Sequence, residues 1–127
     1  MKKNIIFLFV IILLINCNML HIVKDRLPPP QRLADGFYLF RIDYPSATTV
    51  NIAGDWNEWC GTASSTGRFD VKIDQLKDED NDGIWEIKLK LSAGKHIYKF
   101  VIDQNNWIKD PTNRNEDDNG NSYIIIE

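Results

Sequence analysis

Trp59 and Trp107 are the residues of this 127-residue chain whose type and surroundings point most directly to chemistry. Each stands among polar neighbours, in GDWNEWC and DQNNWIKDP, where a large apolar side chain has no evident core to enter. A flat indole face offers rigid contact area, and hydrogen-bonding groups beside it can orient whatever lies on it. The C–H face of a pyranose ring suits such a surface, with its hydroxyls reaching the flanking amides and charges. Trp56, three residues before Trp59 in the same tight loop, is expected to fold inward and plug the edge of the fold.

Catalytic constellations are scarce. His21 and His96 are the two histidines, and neither stands where a Ser-His-Asp or Cys-His arrangement is suggested; His96 reads as a strand-end residue. Paired carboxylates for glycoside hydrolysis need a cleft that holds them at a set separation, which a small domain with short loops rarely supplies. The chain is therefore expected not to be an enzyme and to need no cofactor.

The stretch DEDNDG places Asp78, Asp80 and Asp82 before Gly83, as in the opening of a calcium loop that draws oxygen ligands from alternate positions. Leu89 occupies the place where an EF-hand has its bidentate glutamate, so this is not an EF-hand. A shorter calcium turn, assisted by Glu86, stays open beside the plainer reading of an acidic turn in water; no metal is expected.

The N-terminus carries a targeting signal. Lys2 and Lys3 precede an apolar stretch from Ile5 to Ile15, and Cys17 follows; the stretch falls short of the roughly 20 residues that span a bilayer as a helix. Residues 1–16 thus read as a signal peptide. Leu14-Ile15-Asn16-Cys17 resembles the lipobox of bacterial lipoproteins, although that family usually has Gly, Ala or Ser where Asn16 stands. The resemblance implies lipidation of Cys17 and an anchored protein on the periplasmic or surface face of a bacterial envelope. Plain secretion and an uncleaved anchor are the alternatives.

Without Lys2 and Lys3, the remaining chain is more acidic than the whole, whose formal net charge is −3. An acidic domain repels phosphate, so nucleic acid is not an expected partner. An acylated Cys17 leaves Cys60 without an intramolecular disulfide partner, and stability must come from packing.

Stepwise alternation supplies the elements that would position these residues. Residues 17–36, with prolines at 28 to 30, read as a stiff extended tether, or else as a first strand of the domain. In WEIKLKL, Trp85, Ile87, Leu89 and Leu91 share one face, which predicts a half-buried strand with Trp85 in the core. It is expected to form a hairpin with HIYKFVID through Ala93-Gly94. Phe37 to Ile42, Thr48 to Ala53, Phe69 to Ile73 and Ser122 to Glu127 are further strand candidates. Short strands separated by Gly, Asn, Asp and Pro clusters indicate one all-β domain over 37–127, an immunoglobulin-like antiparallel sandwich.

Four stretches in order, VNIAGDWNEW, DGIWEIKLKLSAGKHIYKFVID, WIKDPTN and DNGNSYIIIE, resemble the early-set glycogen- and starch-binding modules of carbohydrate-binding module family 48. That family includes the glycogen-binding domain of the AMP-activated protein kinase β subunit. The resemblance implies that Trp59 and Trp107 stack on sugar, that Lys99 and Asn121 hydrogen-bond its hydroxyls, and that Asn119 adds a polar contact. It further implies an α-1,4-linked glucan or maltodextrin as ligand, bound without cleavage. Glu116-Asp117-Asp118 stand where some members carry a clasping leucine. The alternative is an envelope module that keeps the fold and uses the tryptophans against a protein partner.

Overall fold

The computed structural model describes residues 26–127; the signal peptide, Cys17 and His21 lie outside the described residues. Seven strands form two antiparallel sheets: β1 (Gln31–Arg32), β2 (Tyr38–Asp43), β3 (Val50–Gly54), β4 (Ile84–Leu89), β5 (Gly94–Ile102), β6 (Asn106–Ile108) and β7 (Ser122–Ile126). One sheet has the order β1-β2-β4; the other has the order β3-β5-β6, with β7 also pairing β5. The architecture is the all-β, immunoglobulin-like sandwich that the alternation predicts.

Period-2 patterning explains why the sheets meet as they do. Phe40 and Ile42 of β2, Val50 and Ile52 of β3, Tyr98, Phe100 and Ile102 of β5, and Ile124 and Ile126 of β7 alternate with residues of the opposite faces. Together with Leu76 they make one buried cluster. Aromatic and β-branched side chains suit a pleated, half-buried surface, and Tyr98 meets Phe40 edge-on with centroids 5.2 Å apart. Trp85, Ile87, Leu89 and Leu91 pack against this cluster, and the Trp85 indole donates to the Tyr44 carbonyl at 3.0 Å.

The structure corrects three expectations. The hairpin between β4 and β5 does not form: β4 pairs β2, whereas β5 pairs β3, β6 and β7. The apolar faces of both strands belong to one core, so residues 90–93 carry the chain from one sheet over to the other. Phe69 to Ile73 is not a strand but an irregular segment and a turn. Its side chains Phe69 and Ile73 cover the outside of the β3-β5 sheet, packing on Ala53, Cys60 and Val101. Finally, Gln31–Arg32, inside the stretch read as a tether, pair with Leu39 and Tyr38, and the Leu33 amide donates to the Phe37 carbonyl at 2.7 Å. The alternative reading of a first strand thus holds for Gln31–Arg32, two exposed polar residues whose lack of a periodic signal left it open in the sequence.

Residues 74–77 stitch the two sheets together along one side. The Ile52 amide donates to the Asp74 carbonyl (3.1 Å) and the Leu76 amide to the Val50 carbonyl (2.8 Å), while Lys77 and Glu86 exchange both backbone bonds at 3.0 and 2.9 Å. The segment thereby pairs the edges of β3 and β4 that no strand covers, and it buries Leu76 in the core.

Candidate functional site: the outer face of the β3-β5-β6-β7 sheet

Antiparallel register gathers the candidate residues on one face. Val101 is the direct partner of Trp107 on β6 and of Asn51 on β3, and Lys99 is the partner of Ala53. Directly opposed residues share a face, so Lys99, Val101 and Trp107 all point away from the core. β6 pairs Phe100 to Ile102 and β7 pairs Gly94 to Tyr98 along the same side of β5. Lys99 falls at the gap between them. Continued by one residue, the β5-β7 register sets Asn121 opposite Lys99.

Trp59 reaches this face from the loop after β3. Its ring and that of Trp107 both pack, half-buried, on the cluster of Ala53, Cys60 and Val101. Phe69 joins them, with its centroid 6.1 Å from Trp107 and the planes at 76°. Phe69 is a third aromatic that the alternation pattern assigned to a strand. Aromatic pairs in this edge-to-face arrangement prefer such separations, so Phe69 fixes the tilt of the Trp107 ring.

Backbone strain accompanies the placement of Trp59. Glu58, Trp59 and Cys60 all have φ of 54°, and Asp103 and Gln104 in the β5-β6 turn before Trp107 have φ of 51° and 67°. Each non-glycine residue in this left-handed region costs about 1 to 2 kcal/mol. Asn57 holds the first turn. Its Oδ1 accepts from the Gly54 and Cys60 amides, each at 3.0 Å, and its Nδ2 donates to the Ile52 carbonyl (2.9 Å) and the Asp74 carboxylate (2.7 Å). Both hydrogens of the amide nitrogen are thereby spent on tying the loop to β3 and to Asp74.

Trp56 turns inward, packs on the core cluster and donates its indole N–H to Asp74 at 2.9 Å. The ring occupies the space where a Cβ on Gly54 would stand, so Gly54 admits no side chain. The two tryptophans of this loop therefore face opposite ways, one closing the sandwich and one lying on its outer surface.

Cys60 lies beneath the aromatic surface. It is fully buried, donates its Sγ–H to the Ile52 carbonyl at 3.3 Å, and burial, aided by the charges of Asp74 and Asp70, pushes its pKa up to about 12.

The β6-β7 connection that carries Asn119 and Asn121 is built on a buried carboxylate. Asp110 accepts from the Tyr98 hydroxyl (2.7 Å), the Thr112 amide (2.8 Å) and the Thr112 hydroxyl (2.7 Å), and its own amide donates to Ser122 Oγ (2.8 Å). Asn113 donates to the Tyr98 hydroxyl and to the Tyr123 carbonyl. Burial raises the Asp110 pKa against the opposing effect of these hydrogen bonds, and burial followed by the Asp110 charge raises that of Tyr98, which keeps its proton and donates it.

Farther along, the Asn119 and Asn121 amides both donate to Asp117 Oδ1, and the Asn121 Nδ2 donates to Asp117 Oδ2 at 3.2 Å. These bonds, the backbone one from Asn121 first, hold the Asp117 carboxyl below its ordinary range. Asn121 is half-buried, with its side-chain oxygen still available as an acceptor; Asn119 is exposed at the tip of the turn. The structure thus brings Trp59, Lys99, Trp107 and Asn121 to one face and sets Asn119 at its margin. Of the acidic stretch, Glu116 pairs with Lys109 at 3.1 Å and Asp117 closes the turn.

Asp78, Asp80 and Asp82 lie on the other sheet's side, with carboxylate oxygens within 4.8 Å of one another. Asp78 accepts from the Asp82 and Gly83 amides and Asp82 from the Ile84 amide. These bonds close the turn into β4, a structural use of the carboxylates.

Comparison with known sequences finds similarity to short parts of larger enzymes. No family model matches the chain. It is similar to the 1,4-alpha-glucan branching enzyme GlgB of Lactobacillus acidophilus, 33% identical over 67 residues, which is 53% of this chain and 9% of that enzyme. It is also similar to GlgB of Fusobacterium nucleatum subsp. nucleatum, 31% identical over 71 residues, 51% of this chain and 9% of the enzyme. The matches span only that small share of the enzymes' length.

Proposed function

We propose that this chain is a non-catalytic module that binds an α-1,4-linked glucan or maltodextrin across Trp59, Lys99, Trp107 and Asn121, with Asn119 at the rim. The observation that carries the reading is the pair of indoles, Trp59 and Trp107, seated on one apolar cluster of an outer sheet face. Beside them stand a lysine at the β6-β7 gap and an asparagine acceptor. Stacking surfaces supply area and the polar groups fix orientation. Similarity to parts of two enzymes named for 1,4-alpha-glucan, and the resemblance to carbohydrate-binding module family 48, support the ligand class.

The strain in the Trp59 loop supports it further. Three consecutive left-handed residues are maintained where a relaxed turn would carry the chain onward. Such outliers concentrate at sites where a side chain must be presented in one orientation.

Titration of the full chain with maltoheptaose and β-cyclodextrin, followed by tryptophan fluorescence, tests the proposal. A saturable change is expected. Trp59→Ala and Trp107→Ala should each weaken binding by about 1 to 3 kcal/mol, on the scale of a buried aromatic contact, with the melting transition retained. No change at millimolar sugar in a folded protein would overturn it and turn attention to a protein partner for the same surface.

The lipid anchor belongs to the same proposal: Cys17 acylated, the domain held at a bacterial envelope. Metabolic labelling with palmitate in a bacterial host, lost in Cys17→Ser, is the expected result.

A further inference from the structure

His96 stands at the start of β5, buried to 9% exposure, and both of its ring nitrogens face oxygen acceptors. Nδ1 is 2.8 Å from Asp55 Oδ1 and Nε2 is 2.7 Å from the Ser92 carbonyl oxygen. A neutral imidazole has one N–H and one lone pair, whereas the imidazolium has two N–H donors. Only the charged ring satisfies both contacts. In the neutral ring, a lone pair would be pressed against an oxygen at hydrogen-bond distance.

The two acceptors belong to different parts of the fold. Ser92 lies in the crossover from β4 to β5. Asp55 begins the loop that carries Trp56, Asn57 and Trp59, and it also clamps that loop on β5: its Oδ2 accepts from the Ile97 amide and its own amide donates to the Ile97 carbonyl, both at 3.1 Å. The imidazole ring meets the Trp56 ring edge-on, 6.0 Å between centroids. Trp56 and Asn57 in turn share Asp74. A contiguous set of contacts therefore runs from the crossover through His96 to the turn that presents Trp59.

We infer that His96 is a proton-dependent latch, which as imidazolium ties the β4-β5 crossover to the tryptophan-bearing loop and on losing its proton uncouples the two. Among the described residues, Asp55 is the charged group that faces the ring. Its other neighbours, Ser92 on the crossover, Trp56 on the loop and the cross-strand partner Ile124 on β7, carry no charge, and Lys95 points to the outer face over the Tyr123 ring. Burial works against the charged ring, but the Asp55 hydrogen bond, the Ser92 carbonyl and the Asp55 charge outweigh it, so the pKa is raised. The Ser92 hydroxyl, 3.4 Å from Nε2, is placed to swing in and donate to the neutral ring, which gives the unlatched state its own arrangement.

The direction follows from linkage. A group whose pKa is higher folded than unfolded stabilises the fold fully below the unfolded value, and that contribution disappears as pH rises through the folded value. The latch is closed in mildly acidic solution and opens above the raised midpoint. It is independent of what the outer face binds.

The test is NMR titration of the His96 ring in the full chain, with amide hydrogen exchange of residues 90–94 and 55–61 across the same pH range, corrected for intrinsic rates. The expected midpoint lies above the ordinary value of about 6.5, and protection in one or both segments falls about tenfold for each unit of that elevation. In His96→Gln the protection should be flat with pH. A midpoint at or below about 6.5, or protection unchanged across the midpoint, would overturn the latch. The wild-type measurements decide this even if the variant does not fold.

Discussion

Phe69 and Trp107 meet edge to face, 6.1 Å between centroids and 76° between planes, and the two residues come from segments that share no strand pairing. Trp107 is fixed from below by Val101, its partner across β5 and β6, and from the side by a ring delivered by the long excursion between β3 and β4. A half-buried tryptophan held on two sides has little rotamer freedom left to lose when something stacks on it, and ordering cost is a principal charge against binding.

Trp56 and Trp59 should separate stability from recognition. Trp56→Ala removes a ring packed on the core cluster and orphans the Asp74 contact, so it should cost about 3 to 5 kcal/mol of stability, the range for large aromatic truncations. Urea denaturation measures this. A loss smaller than that of Trp59→Ala would show that the inward ring contributes little to the sandwich.

Glu58 is exposed and held at φ 54°. Glu58→Gly relieves the left-handed strain at a position whose side chain makes no hydrogen bond among the described residues. It is expected to raise stability by up to about 1 kcal/mol, the relief being offset partly by the greater entropy of the unfolded chain. A decrease of similar size would mean that the turn is not strained at Glu58.

The Cys60 thiol should be inert in the folded protein. With its pKa pushed up to about 12 and its sulfur buried, a Cys17→Ser chain should react with a disulfide reagent only as fast as it opens, even at a pH near 9 where an ordinary thiol (about 8.5) is mostly ionised. Rapid stoichiometric labelling without denaturant would contradict the burial.

Asp110→Ala should be the most damaging single change in the β6-β7 connection. It leaves the Tyr98 hydroxyl and both Thr112 donors without their acceptor, and each buried donor left unpaired costs about 1 to 3 kcal/mol. Thermal melting should fall sharply, and exchange of the 110–122 amides should rise beyond that of β3. A melting temperature equal to wild type would show that the loop stands without the carboxylate.

The strands were legible where alternation was strict or a short run stood between turn clusters. Ile84–Leu89 falls on a strictly alternating stretch, and Tyr38–Asp43, Val50–Gly54, Gly94–Ile102 and Ser122–Ile126 on short runs rich in β-branched and aromatic residues between turn clusters. Alternation reports which face of a strand is buried but not which strand lies beside it. That is why WEIKLKL and HIYKFVID, adjacent in sequence and facing one core, looked like a hairpin. β6 is three residues long, and its polar flanks hid it.

The outer-face tryptophans stood out because they were apolar residues in polar company. Phe69 did not, since it looked like an ordinary strand residue. Nor could spacing reveal that Asn57, Asp55 and Asp110 each tie distant segments together, because such bonds depend on the crossing of the chain and not on its local pattern.

Residues 74–77 also govern where one molecule could adhere to another. An unpaired strand edge is a template for a foreign strand, and this short segment caps the edges of β3 and β4 with its own backbone bonds. One side of the sandwich is thereby closed from within to intermolecular sheet growth. Loosening it, for instance by Leu76→Asp, would convert a protected seam into two sticky ones, so aggregation at concentrations that leave the native chain dispersed is the expected signature of its loss.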